Sequence, residues 1–173
     1  IYFSTDDMRE YLYMLGTRGT AFWEYYYSPS MFDDEKWQVN AEAANWIEDN
    51  FHILQKSKMF GGQPGNGDVY GFSCWNGNEG IVSIRNPHNT TKTYTLKFDR
   101  LVGVTEGIEN LYGKVVLGDI KWQNDEEMYY GKEVTYTLEP FESLIMYYGD
   151  KDTTAAVVKN IHGDNNKLDV EFN

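Results

Sequence analysis

One carboxylate in this sequence has a setting that chemistry could use. Glu24 lies within Phe22-Trp23-Glu24-Tyr25-Tyr26-Tyr27, where every other member is aromatic. Aromatic neighbours disfavour the charged form of a carboxyl group, raise its pKa and orient it toward a ligand. The same rings present flat apolar faces with polar tips, which suit the C–H face of a pyranose. Trp23, Glu24 and Tyr26 are therefore the candidate substrate-binding residues. Alternate residues of an extended chain point to opposite sides, so Trp23, Tyr25 and Tyr27 share one face and Phe22, Glu24 and Tyr26 the other. Only one set can line a site. The structural alternatives are a Glu24 carboxylate at a strand end, bonded to Arg18 or a tyrosine, and rings that belong to a core.

A second catalytic group does not stand out. Hydrolysis of a glycosidic bond needs two carboxyl groups roughly 5–10 Å apart, one as acid and one as nucleophile or base. Most of the 27 acidic residues fall in solvent-type runs such as Asp33-Asp34-Glu35 and Asp125-Glu126-Glu127, so no catalytic residue is assigned. His52, His88 and His162 are far apart, and no serine or cysteine sits in a nucleophile-elbow context. The single cysteine, Cys74, rules out an internal disulfide framework and reads as a small buried hydrophobe in a strand. Neither CxxC nor HExxH spacing occurs. Asp164-Asn165-Asn166 with Asp169 lacks the spacing and closing glutamate of a calcium loop and reads as a turn. No metal or cofactor is expected. Asn89-Thr90-Thr91 is a formal glycosylation sequon.

Charge narrows the partners. A net charge of -12 opposes phosphate backbones and anionic lipid surfaces, which demand clustered Lys and Arg. Nucleic acid and membrane insertion are thus poor partners, whereas a neutral glycan is compatible. An aromatic content of 16% marks a folded globular chain.

The elements that must position these residues fall into two kinds. Ser4-Thr5-Asp6-Asp7 opens a short helix with a capping pair and acidic first turn, and Gly16 closes it. Residues 19–30 read as a buried aromatic strand running into a loop. Residues 33–54 return to helical spacing, with Trp37, Ala41, Ala44 and Ile47 or Glu48 on one side and Val39, Ala43, Trp46 and Asn50 nearby. The glycine-rich run at 61–67 marks a boundary, beyond which short β-prone runs at 69–75, 80–85, 93–98, 111–117, 133–138 and 143–148 alternate with turn chemistry. That spacing predicts an antiparallel sandwich with Phe72, Cys74 or Trp75, Ile81 or Val82, Leu96, Leu138, Leu144 and Met146 in its core. Residues 151–173 read as a linker and the first hairpin of a following module.

Four segments together resemble the α-galactosidase-like glycoside hydrolases: Arg18-Gly19-Thr20-Ala21-Phe22-Trp23-Glu24, the helix between Trp37 and Trp46, Val69-Tyr70-Gly71-Phe72-Ser73-Cys74-Trp75, and Gly80-Ile81-Val82-Ser83-Ile84-Arg85-Asn86-Pro87. Leu138-Glu139-Pro140-Phe141 before an apolar run is similar to the closing turn of their terminal sandwiches. The resemblance implies a mainly β chain: a C-terminal antiparallel β-sandwich over 61–150, preceded over 1–60 by a short α/β segment resembling the last repeat of a (β/α)8 barrel. It further implies a glycan as partner, the remainder of the same polypeptide or another chain completing the barrel, and secretion to the extracellular space or cell surface. The family's catalytic carboxylates lie on middle barrel strands, so the fragment alone is expected to be inactive. A non-catalytic carbohydrate-binding module and an Ig-like structural domain are the alternatives. The first reading expects part of the aromatic stretch, and the Trp37, Ala41 and Ala44 side of the second helix, to be left exposed. Complete burial of Phe22, Trp23, Tyr25 and Tyr27 would instead favour a self-contained binding module.

Overall fold

Ser4 starts the first helix. Its hydroxyl accepts the Asp7 N–H at 3.0 Å while the Asp7 carboxylate accepts the Ser4 N–H at 3.0 Å, the reciprocal capping box that the sequence predicts. The computed structural model describes residues 3–151, and the hairpin expected over 151–173 lies outside the described residues. Helix α1 (Thr5–Gly16) buries Met8, Leu12, Tyr13 and Met14. Helix α2 (Asp34–Asp49), capped by Asp33, buries Val39, Ala43 and Ile47, and the short α3 (Phe51–Leu54) follows. Gly16 lets α1 and α2 approach closely, because a Cβ there would come within 2.5 Å of the Ile47 side chain.

Eight strands follow among the described residues. They are β1 (Ser57–Gly61), β2 (Tyr70–Asn76), β3 (Glu79–Arg85), β4 (Lys92–Lys97), β5 (Leu111–Leu117), β6 (Glu127–Met128), β7 (Glu133–Leu138) and β8 (Ser143–Gly149). Every pairing is antiparallel. Six strands form one sheet in the order β1-β2-β3-β8-β5-β6, and β4 with β7 form a second sheet of two. The β-sandwich expectation is met, and the six β-prone runs correspond to β2, β3, β4, β5, β7 and β8 within about one residue at each end.

The period of two explains how one sheet serves two cores. Trp75, Val82, Ile84, Leu144, Met146 and Tyr148 face the β4–β7 layer together with Leu96, Phe98 and Leu138. Their neighbours Cys74, Ile81, Ile145 and Tyr147 face the opposite way, onto α1, α2 and α3. The molecule is therefore three layers: helices, a six-stranded sheet, and a two-stranded sheet with its loops. All seven residues of β8 are buried because both of its faces are covered. A fully buried Leu such as Leu12 or Leu54 contributes roughly 1.5–3 kcal/mol relative to exposure.

Two polar ties fasten α1 to the sheet. Thr17, at 0% exposure, shares a 2.7 Å hydrogen bond with the Ser83 hydroxyl on β3 and donates to the Met14 carbonyl at 2.7 Å. Its own carbonyl accepts from the Ser57 hydroxyl on β1 at 2.7 Å. In the middle of α1, Glu10 accepts from Arg85, and the Ser143 hydroxyl donates to the same carboxylate oxygen.

Three sequence expectations are corrected. The strand predicted over residues 19–30 does not pair: it is an extended coil followed by a single 3-10 turn at Pro29–Met31. Strand propensity in its aromatic residues has no neighbouring strand to act on among the described residues. Phe72 is half-buried and outside the inner core, because its register places it away from the β4–β7 side. The first strand of the large sheet, Ser57–Gly61, comes before the glycine-rich run, which instead links it to β2.

Candidate functional site

The aromatic segment runs over the outside of the helical layer. Exposure alternates along it: Phe22, Glu24 and Tyr26 are exposed, while Trp23, Tyr25 and Tyr27 are half-buried against the core beneath α1 and α2. Alternation of this kind requires an extended backbone, as the sequence predicts. No residue from 20 to 27 makes a backbone-to-backbone hydrogen bond among the described residues. The segment has a strand's geometry without a strand's partners.

The inward rings form a contiguous ladder. Tyr25 and Tyr27 stack at 5.4 Å with an interplanar angle of 7°. Tyr27 meets Phe32 at 4.2 Å, and Phe32 meets Trp37 of α2 at 4.7 Å. The Tyr27 hydroxyl donates to Asn40 Oδ1 at 2.8 Å, fixing the ladder to α2. Burial pushes the Tyr27 phenol up to about 12, with smaller contributions from Tyr25 and Tyr11, and raises that of Tyr25 in the same sense. Outward, Phe22 is 76% and Tyr26 89% exposed.

The three predicted site residues are not brought together on one side. Glu24 and Tyr26 share the outer face, where the Tyr26 hydroxyl donates to Glu24 Oε2 at 2.9 Å. Trp23 points inward, and its indole Nε1 is buried without a hydrogen-bond partner among the described residues. Glu24 is exposed instead of lying in the aromatic enclosure expected for an activated acid, and its hydrogen-bond partner is the tyrosine of the structural alternative. Helix α2 also keeps an exposed apolar stripe, since Trp37 is 46% exposed and Ala41 and Ala44 lie beside it on solvent.

A separate cleft of about 330 Å³ opens between the start of α1, the segment after β5 and the β7–β8 turn, and sequence reading misses it. Its wall includes Asp7, Glu10, Asp119, Lys121, Phe141 and Glu142. These carboxylates are already engaged. Asp7 caps α1, a role whose hydrogen bonds from the Ser4 hydroxyl and backbone hold its pKa low. Glu10 binds Arg85 and Ser143, and Asp119 pairs with Lys121 at 3.6 Å. Glu142 accepts from the Trp122 indole at 2.9 Å, from the Glu139 N–H at 2.7 Å and from Lys121 at 3.2 Å. The residues run from Asp7 to Glu142, 135 positions apart, so only the fold could reveal the group. Among the described residues, no cluster of three or more His, Cys, Asp or Glu could hold a metal ion. No described helix is long and apolar enough to cross a membrane.

No family model matches the chain, and no curated protein matches it. Solved structures do. A protein from Bacillus halodurans assigned as an α-N-acetylgalactosaminidase matches at 14% identity and a TM-score of 0.50, over 86% of this chain and 31% of that one. Further matches include α-galactosidase I from Mortierella vinacea, at 9% identity, TM-score 0.48, 88% of this chain and 37% of that one. A β-L-arabinopyranosidase from Geobacillus stearothermophilus matches at 10% identity and a TM-score of 0.48, over 83% and 30%. The chain spans about a third of the length of these structures. In fold, it resembles part of an α-galactosidase-like glycoside hydrolase.

Proposed function

We propose that this chain is the C-terminal portion of a secreted glycoside hydrolase acting on α-linked glycans. Residues up to 56 are the end of the catalytic barrel, 57–150, which include β1, are the sandwich that flanks it, and 151–173 begin a further module. The single observation that carries this reading is the extended aromatic segment: alternately exposed, without backbone partners among the described residues, and lying over helices whose outer stripe is exposed. Such a segment is a barrel strand whose neighbours belong to the remainder of the polypeptide. Glu24 and Tyr26 then sit at the barrel rim on the glycan side, their hydrogen-bonded pair offering a polar contact to sugar hydroxyls, while Trp23 points inward and anchors the segment on the helical layer.

Catalysis needs two opposed carboxyl groups, and the hydrogen-bond partner of Glu24 is the Tyr26 hydroxyl, not a second carboxyl group. The chain by itself is therefore inactive. The test is hydrolysis of aryl α-galactosides and aryl α-N-acetylgalactosaminides by the isolated 173-residue chain. No release of the aryl alcohol above the uncatalysed rate is expected; turnover that vanishes in Glu24→Gln would overturn the reading.

One observation favours a second reading, a non-catalytic glycan-binding module. Phe22 and Tyr26 project almost fully into solvent, as a sugar platform requires. Titration of α-linked oligosaccharides with two-dimensional NMR separates the two, because a module binds through these rings on its own, whereas a barrel rim needs the rest of the barrel.

A further inference from the structure

The outer aromatic and helical surface has a strong charge asymmetry. Residues 20–49 contain seven carboxylates against Lys36 alone, which leaves -6 of the chain's net -12 in this stretch. Glu42 is tied to Arg9, and Asp33 to Lys36. Glu24, Asp34, Glu35, Glu48 and Asp49 are exposed. Glu24 lies between Phe22 and Tyr26 on the outer face of the segment, and on α2 Asp34 and Glu48 stand at the two ends of the Trp37, Ala41 and Ala44 stripe; Phe22, Tyr26, Met31 and Trp37 are 76%, 89%, 61% and 46% exposed.

We propose that this face is covered by a protein surface with an apolar centre and a rim of Lys and Arg, and not by a second copy of this chain. The proposal rests on the reading above that the chain is part of a larger enzyme, and it specifies the chemistry of the covering part. Burying the aromatic centre is favourable for any apolar partner. The rim decides which one. Two copies face to face would bring the same carboxylates together, and like charges juxtaposed at an interface select against that pairing. A basic rim meets them with opposite charge and guides encounter.

The probes are two amphipathic helical peptides of equal length and identical leucine pattern, one carrying lysine and the other glutamate on the polar face. Binding to the 173-residue chain is followed by fluorescence anisotropy. Asp34→Asn/Glu35→Gln/Glu48→Gln removes rim charge, and Glu106→Gln/Glu109→Gln/Asp125→Asn removes the same charge from exposed positions elsewhere. The lysine peptide should bind the chain more tightly than the glutamate peptide. Its affinity should fall about fivefold in the rim variant and less than about twofold in the remote one. Phe22→Ser/Tyr26→Ser should weaken both peptides, and sedimentation should give a single-chain mass at low salt. Equal losses in the rim and remote variants, or a dimer at low salt, overturns the proposal. Hydrolysis of an aryl glycoside by the isolated chain would contradict the functional reading and leave these affinities unchanged, so the two failures are distinguishable.

Discussion

Thr17→Val tests whether α1 and the large sheet unfold as one unit. The substitution keeps the branched shape and removes one hydroxyl at a position with 0% exposure. The Met14 carbonyl keeps a partner, because the Thr17 N–H also donates to it at 3.2 Å. Ser83, likewise at 0% exposure, loses the 2.7 Å partner that satisfies it. An orphaned buried hydroxyl costs about 1–3 kcal/mol. With a urea slope of roughly 2 kcal/mol/M, the midpoint should fall by about 0.5–1.5 M with the slope unchanged. Tryptophan fluorescence, which includes Trp75 in the sandwich core, and far-ultraviolet circular dichroism should move together. Ser83→Ala in the same background should cost less than in the wild type, with a coupling of about 1 kcal/mol. A fluorescence curve that stays in place while only the helical signal weakens would refute the reasoning, since the tie would then be local to α1.

Further outcomes follow from the same structure. Gly71→Ala should cost about 3 kcal/mol or more in thermal or urea unfolding, because a Cβ there would lie 2.0 Å from the Ser83 carbonyl oxygen on the neighbouring strand. Ser4→Ala should remove the capping box and cost about 1 kcal/mol, measured as a drop in urea midpoint. Burial pushes the phenols of Tyr13 and Tyr148 up to about 12 and that of Tyr136 well above its usual 10. The unfolded chain therefore releases these protons first: the stabilisation is complete below pH 10 and is lost as pH climbs toward 12. The expected slope is about 1.4 kcal/mol per pH unit for each tyrosine in that window. Denaturation at stepped pH, with tyrosinate absorbance near 295 nm as a second readout, checks it.

Local chemistry was readable wherever one short stretch sets one outcome. The Ser4–Asp7 cap, the Asp33 cap and six strands with turn residues between them depend on neighbours in sequence, and they stand where the pattern puts them. Strand β1 was hidden because Ser57–Gly61 is an edge strand that buries only Phe60, so Lys58 and Met59 mask its alternation. Strand β6 has two residues, too few for any period. Helix α2 carries two apolar stripes, and spacing alone does not say which one the core takes; Val39, Ala43 and Ile47 are inside, and Trp37, Ala41 and Ala44 outside. The alternation of the aromatic segment was legible, whereas its lack of pairing was not. Pairing depends on which strand lies alongside, and no local pattern encodes that. The Glu10, Arg85 and Ser143 tie joins three elements distant in sequence, so it became visible only in the fold.

The central claim is that the face around Phe22, Tyr26, Met31 and Trp37 is covered in the proposed parent enzyme. Hydroxyl-radical footprinting measures this directly when the isolated 173-residue chain is compared with the native polypeptide that carries it, purified from its source. In the isolated chain all four side chains should oxidise readily, in keeping with their exposure. In the native polypeptide they should be protected at least about tenfold, while Met59 and Phe141, exposed elsewhere on the sandwich, react alike in both. Equal oxidation of Phe22, Tyr26, Met31 and Trp37 in the two samples would contradict the account.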